Sequence, residues 1–379
     1  MKDIIYFDHA ATTPVNDEVI GTMTKVLKEN YANASSIHQL GKKNRVMMET
    51  ARKKMAESIG ALAEEIVITS GGTESDNMAL IKTAEAYKDK GQHIISTNIE
   101  HPAVLESLNY LEKKGFEITY LKANTKGIVT VNQVKEAIRP DTILISIIFG
   151  NNEIGSVQPI KEIGEFICSI DQKIIFHTDA VQAYGILKIN VDELNVDLLS
   201  VSAHKMNGPK GIGFLYIRNG IETTSLLLGG GQEYQRRAGT ENIPTIVAFE
   251  KAIELNQNNQ AAIHQHLTKL KEYFVHALEN SSINHSINTP LENSLPHILS
   301  VSFPEIPSDR LLIQLDLNGV AVSAGSACSS GSLENSHVLM AVFGEGIEEV
   351  NHTIRFSFGQ TNNVKEIDQV VQLLEKFAS

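Results

Sequence analysis

Cysteine is scarce in this sequence: Cys168 and Cys328 are the only two in 379 residues. Two thiols by themselves build neither a disulfide framework nor a zinc site, so the chain reads as a protein of a reducing compartment. Positive charge is short as well. Against 45 Asp and Glu there are 33 Lys and Arg, a formal net charge of −12, and no basic run offsets it. Gripping a phosphodiester backbone needs clustered Lys and Arg, so nucleic acid is not expected as a direct partner. Long apolar runs are missing too. A membrane helix needs about 20 apolar residues, whereas "TILISIIF" (142–149) has only the length of a buried strand. The opening "MKDIIYFDHAATTP" sets Asp3 and Asp8 where an export signal would need an apolar core. The expectation is therefore a cytoplasmic protein with no membrane span. The rest of the composition, 42% apolar and 21% charged, is ordinary for a globular protein.

What is present is an alternation. From Glu65 to about Tyr216, short β-rich runs ("EIVITS", "HIISTN", "FEITYL", "TILISIIF", "KIIFHT", "DLLSVS", "GIGFLYI") are separated mostly by amphipathic segments such as "AVLESLNYLEKK". That pattern predicts an α/β fold with a mainly parallel sheet covered by helices. After "LLLGGGQE" (226–233) a long polar helical segment runs from about Glu241 to Asn280, followed by fewer and more mixed elements. The length suits two units: a large one over 15–258, and a smaller α+β one made of 1–14 and 259–379.

Ligands of open parallel sheets sit beyond the carboxyl ends of the strands, and five strand ends carry chemistry. "EIVITS" runs into "GGTES", with Gly72 and Thr73 opening a helix that can receive an anion. "HIISTN" leads to His101 before a proline-started helix, and "TILISIIF" to Asn151 and Asn152. "KIIFHT" leads to Asp179 and Gln182, and "DLLSVS" ends in Ser202, His204 and Lys205. Each alone has an ordinary reading as a turn, a cap or a solvated charge. Together they supply an anion cup, a carboxylate, an imidazole able to stack and a lysine, which are the needs of pyridoxal 5'-phosphate. That cofactor takes a lysine Schiff base and an acidic partner for its ring nitrogen. A nicotinamide would instead call for G-x-G-x-x-G after the first strand, and "SGGTES" lacks it. Lys205 is the expected Schiff-base lysine. Cys328 stands in "SAGSACSSGS" (323–332), a composition that predicts a mobile loop, about 323–336, able to carry a reactive thiol. Cys168, in "EFICSI", reads as an inert structural cysteine in an apolar element.

The segments "YFDHAATTP", "SGGTES", "EHPAV", "NNEIG", "HTDAVQA", "SVSAHKMNGPKGIGFLYIR", "GGGQEYQRRAGTEN" and "SAGSACSSG" resemble the signatures of cysteine desulfurases. The likeness is to the NifS/IscS-like group of class V, fold-type I pyridoxal-phosphate enzymes. The resemblance implies that L-cysteine is converted to L-alanine, with a persulfide formed on Cys328 and passed to an acceptor protein. It implies that Lys205 holds the cofactor, Asp179 pairs with the ring nitrogen and Gln182 with the phenolic oxygen, while His101 stacks on the ring and carries protons. Gly72, Thr73, Ser202 and His204 would hold the phosphate, with Thr240 from the neighbouring subunit of a homodimer. Asn152 and Arg355, with Asn33 nearby, would take the substrate carboxylate. Only a short tail follows Arg355, where housekeeping members carry a longer one that docks an iron–sulfur scaffold. The expected acceptor is thus either such a scaffold or a tRNA-thiolation enzyme. The rival activities are selenocysteine lyase and aminotransferase-like chemistry of the same class.

Overall fold

A computed structural model describes residues 4–325, 336–344 and 348–378. At its centre are seven strands in the order Ile66–Thr69, Gly213–Ile217, Leu198–Ser202, Ile175–Asp179, Thr142–Ser146, His93–Thr97 and Glu117–Leu121. Gly213–Ile217 runs antiparallel to both its neighbours, and the remaining pairings are parallel. All seven coincide with the β-rich runs of the sequence. Six of them are buried, or nearly so, along their whole length, as expected of strands covered on both faces. The edge strand Glu117–Leu121 is largely half-exposed and opens on a glutamate.

Two cores matter for the site. One lies under the helices Asp17–Glu29 and Gln39–Glu57 against the sheet. The other gathers Phe7, Leu299, Val301, Phe356 and Phe358 with the closing helix Val364–Ala378. The helix Ile243–Glu279 serves both. Proline near its start suits a position where the N–H has no intrahelical partner. Its first half buries Ile246, Phe249 and Ile253 in the first core; its second half buries Ile263, Leu267, Leu270 and Phe274 in the second. Beside the second core, Ile298–Ser302 pairs antiparallel with Thr353–Ser357, and Ile5–Tyr6 pairs with Val320–Ala321. The chain's first residues and its last third therefore pack as neighbours.

One expectation fails here. Cys168 is exposed. It is the last residue of the helix Ile160–Cys168, whose buried face is Ile160, Ile163, Gly164 and Ile167, and one step of about 100° past Ile167 turns the thiol to solvent. Cys328 lies outside the described residues.

Candidate active site

Six of the seven strands point the same way, and the loops after five of them meet at one sheet edge around a cavity of about 170 Å³. Gly72, Thr73, His101, Asn152, Asp179, Gln182, Ser202, His204, Lys205 and Arg355 all line it. Asn33 and Thr240 do not. Both are exposed, and the Asn33 side chain is turned onto its own loop, where Oδ1 accepts from Ser35 N at 2.7 Å.

Lys205 leaves the sheet in the turn after Leu198–Ser202, half-buried. Its Nζ donates to the carbonyls of Ala10 (2.6 Å) and Ala11 (2.8 Å). The N-terminal segment is thereby laid across the cavity, and His204 reinforces it: Nδ1 lies 3.1 Å from Thr12 Oγ1, and the His204 carbonyl accepts from Thr13 N and Oγ1. Burial, with Lys205 and Lys210 nearby, pushes the His204 imidazole down to about 4, so it stays neutral at physiological pH.

His101 caps the helix Pro102–Glu112. Its Nδ1 accepts from Ala103 N at 3.1 Å, an arrangement that leaves the proton on Nε2. Burial lowers it to about 4, helped by the charge of Lys205 and by His337. Glu100 just before it sews this loop to the next strand end, accepting from Thr97 Oγ1 (2.6 Å) and Ile148 N (3.0 Å). Asp179 ends its strand buried, with Oδ1 accepting from Val181 N at 2.9 Å. Burial pushes this carboxyl up to about 6, against the lowering pull of Val181 N–H and Lys205. A cationic partner such as a protonated ring nitrogen would reverse that penalty.

The opposite wall is built on charge. Arg355 is almost fully buried. Its Nη1 donates to the Asn152 carbonyl at 2.8 Å, Nη2 meets Asp8 Oδ1 at 2.9 Å, and Nε has no partner among the described residues. The two adjacent amides separate in role. Asn151 is wholly buried and spends its side chain on Ile99 O, Glu153 N and Ile154 N, while half-buried Asn152 faces the cavity. Gln182 donates to Ala10 O at 2.9 Å and lies 3.2 Å from His297 Nε2 through Oε1.

Sequence reasoning passed over four contributors. Asp76 lines the cavity, and one oxygen of each of Asp76 and Asp179 lies with a His101 nitrogen inside a 4.8 Å cluster. Burial, with the nearby Asp179 carboxylate, pushes the Asp76 carboxyl well above the usual carboxylate range. Its position was readable: Asp76 comes four residues after Gly72 in one helix, on the same face. Asp8, whose carboxylate meets Arg355, lies far from it in sequence, and the Ala10 and Ala11 carbonyls left no trace because backbone acceptors have no residue signature.

The residues present fit pyridoxal 5'-phosphate. A lysine nitrogen, a buried carboxyl needing a cationic partner, a neutral imidazole and a hydroxyl-lined helix start share one cavity. At that helix start Gly71 takes a left-handed φ of 147°, a backbone value that favours glycine.

The family described as Aminotransferase class-V matches residues 5–370. The chain belongs to that family. It is 48% identical over 363 residues to a putative cysteine desulfurase, IscS 1, of Bacillus subtilis, covering 96% of this chain and 95% of that protein. A solved NifS-like protein superposes with a TM-score of 0.93 at 37% identity, each chain covered to 99%. The structure of SspA in complex with cysteine gives a TM-score of 0.82 at 37% identity over 94% of this chain and 99% of that one. The fold-type I α/β architecture, the pyridoxal-phosphate dependence and the likeness to IscS/NifS-like cysteine desulfurases rest on these matches.

Proposed function

We infer that this chain is a cysteine desulfurase that moves sulfur from L-cysteine to the thiol of Cys328. What carries the reading is the meeting of Lys205, Asp179, His101 and Arg355 in one cavity, in a chain whose relatives are named cysteine desulfurases. Nothing in the cavity or among these relatives favours the selenocysteine lyase or aminotransferase alternatives.

When bound, pyridoxal 5'-phosphate supplies an electron sink conjugated to the substrate's Cα. The chain's own groups do the rest. Lys205 would hold the cofactor and move a proton at Cα, with Asp179 on the ring nitrogen and Gln182 on the phenolic oxygen. Thr73, Ser202, His204 and the Gly72 N–H would take the phosphate. Neutral His101 would lie on the ring, its Nε2 placed to pass a proton. Arg355 presents a planar fork suited to a carboxylate, and Asn152 would share the substrate carboxylate with it. In the sulfur step the substrate's C–S bond breaks and an S–S bond forms to Cys328. L-cysteine and the Cys328 thiol become L-alanine and a Cys328 persulfide, with no outside oxidant.

Thr240 lies outside the cavity of its own chain. Following the family resemblance, we assign it to the phosphate of a second copy, which would make the active unit a homodimer. The acceptor of the persulfide would be an iron–sulfur scaffold or a tRNA-thiolation enzyme, in the cytoplasm. No helix among the described residues is long and apolar enough to cross a membrane. We divide the chain into 15–258 and 1–14 with 259–379, a boundary inside Ile243–Glu279, where burial passes from Ile253 in one core to Ile263 in the other.

The test is alanine released from L-cysteine by the purified holoenzyme, with Cys328→Ala run in parallel. Release by the wild type and almost none by the variant is expected. Equal release by both would mean that the Cys328 thiol is not the sulfur acceptor, and a lyase would be the better account.

A further inference from the structure

The two residues that flank segment 326–335 come back to a single carboxylate. On the outgoing side, Ser323 and Arg355 are joined by backbone hydrogen bonds, Arg355 N to Ser323 O at 2.6 Å and Ser323 N to Arg355 O at 3.3 Å. Two residues on, Gly325 has a left-handed φ of 94° and lies so close to Glu153 that a Cβ there would stand 2.9 Å from Glu153 Oε2. On the returning side, Ser336 Oγ donates to that same oxygen while accepting from Leu339 N, as the cap of the helix His337–Phe343. Gly325 and Ser336 are also neighbours of each other, the same Cβ position lying 3.2 Å from Ser336 Cβ.

A second tie runs alongside. His337 Nε2 donates to the Glu100 carbonyl at 2.8 Å, and Val338, Leu339 and Val342 pack on Ile99, Ile148 and Ile154. The receiving residues are chain neighbours of the site. Glu100 precedes His101, and Glu153 comes directly after Asn152, whose carbonyl accepts from Arg355.

Glu153 is almost fully buried, forms no ion pair among the described residues, and its Oε1 has no partner there. Burial pushes the carboxyl up. A carboxyl kept at that cost needs a use, and its side-chain donor among the described residues is Ser336.

We propose that Glu153 is a positioning residue: it gathers Gly325 and Ser336 on one carboxylate and registers them against the Asn152–Arg355 wall, so that sulfur transfer to Cys328 depends on a residue that touches neither cofactor nor substrate. This rests on the desulfurase reading above.

Glu153→Ala and Glu153→Gln holoenzymes are mixed with L-cysteine, and the persulfide on Cys328 is followed by mass spectrometry. Cofactor absorbance and the KM for L-cysteine are recorded alongside. In Glu153→Ala the persulfide forms about tenfold more slowly, the KM stays within about twofold and the absorbance is unchanged, as for a loss of register alone. Glutamine keeps an acceptor oxygen for Ser336 and recovers the rate to within about threefold. Persulfide at the wild-type rate in Glu153→Ala overturns the proposal. So does a KM that rises in step with the lost rate, or a glutamine variant as slow as alanine. If Glu153→Ala does not retain cofactor, Ser336→Ala is judged by the same criteria. A wild type that forms no persulfide overturns the desulfurase reading itself, whereas a working wild type beside an unaffected Glu153→Ala overturns this proposal alone.

Discussion

The sheet edge and the surface around 229–241 are built on opposite terms. At the sheet edge, polar groups are sunk and partnered within the chain: Asp179 is 4% exposed, Ser202 3% and Gln182 6%. Around 229–241 the chain is unfinished. Leu228 is 89% exposed, while Glu233, Tyr234 and Gln235 hold three consecutive left-handed φ values of 48°, 56° and 66°. Such conformations cost non-glycine residues about 1–3 kcal/mol each. They persist because Glu233 is tied down from beneath, accepting from buried Arg52 and from Ile68 N at 2.8 Å. In the first region Asp179, Gln182 and Lys205 all find hydrogen-bond partners within one chain. The second is strained at Glu233–Gln235 and turns Leu228 to solvent.

The largest effect should come from the first region. Lys205→Ala removes both the expected cofactor attachment and the proton carrier, so alanine release should fall by roughly 10²–10⁴-fold or more, and the visible absorbance of the holoenzyme should be lost. Because Lys205 also holds Ala10 and Ala11, chemical unfolding should accompany the assay; an unchanged midpoint with lost activity separates chemistry from folding. Retained activity would break the assignment. Arg52→Ala strikes the other region. It strands Glu233 in a buried place, at a cost of about 3–5 kcal/mol in folding stability, read as a lower denaturation midpoint, with the absorbance of the remaining folded holoenzyme unchanged at saturating cofactor. If cofactor binding fell with it, the two regions would not be independent.

Most of the first region was legible in the sequence, because parallel strands bring their succeeding loops to one edge and reactive side chains have residue names. Lys205, Asp179 and His101 could be found from position alone. Asp76 was readable from helical spacing and missed. The carbonyls of Ala10 and Ala11 were out of reach, since any residue supplies a carbonyl and only the tertiary fold brings residue 10 to residue 205. The second region was hardly legible. Arg52 and Glu233 stand 181 positions apart, and charged residues are ordinarily solvated. Cys168 misled for a related reason: apolar neighbours in sequence do not decide which face of a helix the last residue takes.

A smaller effect separates burial from partnership within the sheet edge. Glu100 is wholly buried, its Oε2 unpartnered among the described residues, and burial raises it from 4.5 to about 8. Between those values the folded chain keeps a proton that the unfolded chain has released, so stability falls as pH rises through the window. His101 and His204, lowered from 6.5 to about 4, act with the opposite sign. The unfolded chain takes up their protons below pH 6.5, so their contribution is lost as pH falls toward 4. From pH 6.5 to 8 the carboxyl therefore acts without them. Over that span Glu100→Gln should gain about 2 kcal/mol on the wild type, measured by urea unfolding at both pH values. A constant difference between the two proteins would mean that Glu100 is already ionised at pH 6.5.

The smallest effect tests whether the second region completes the first. Thr240→Val keeps the shape and removes one hydroxyl from an exposed position. Within a single chain such a change is close to silent. If the hydroxyl reaches the phosphate of a second copy, it is worth about 1 kcal/mol, a weakening of cofactor retention of about fivefold. Dialysis against cofactor-free buffer, monitored by absorbance, reads that change, and sedimentation compares the oligomeric state of the variant with that of the wild type. Mixed dimers sharpen the result. A Thr240→Val chain paired with a Lys205→Ala chain places both lesions at one cofactor site or at different ones, depending on which chain supplies Thr240. If the hydroxyl comes from the partner, the wild-type Lys205 site draws it from the Lys205→Ala chain and retains cofactor as the wild type does. If it comes from the same chain, that site carries the defect.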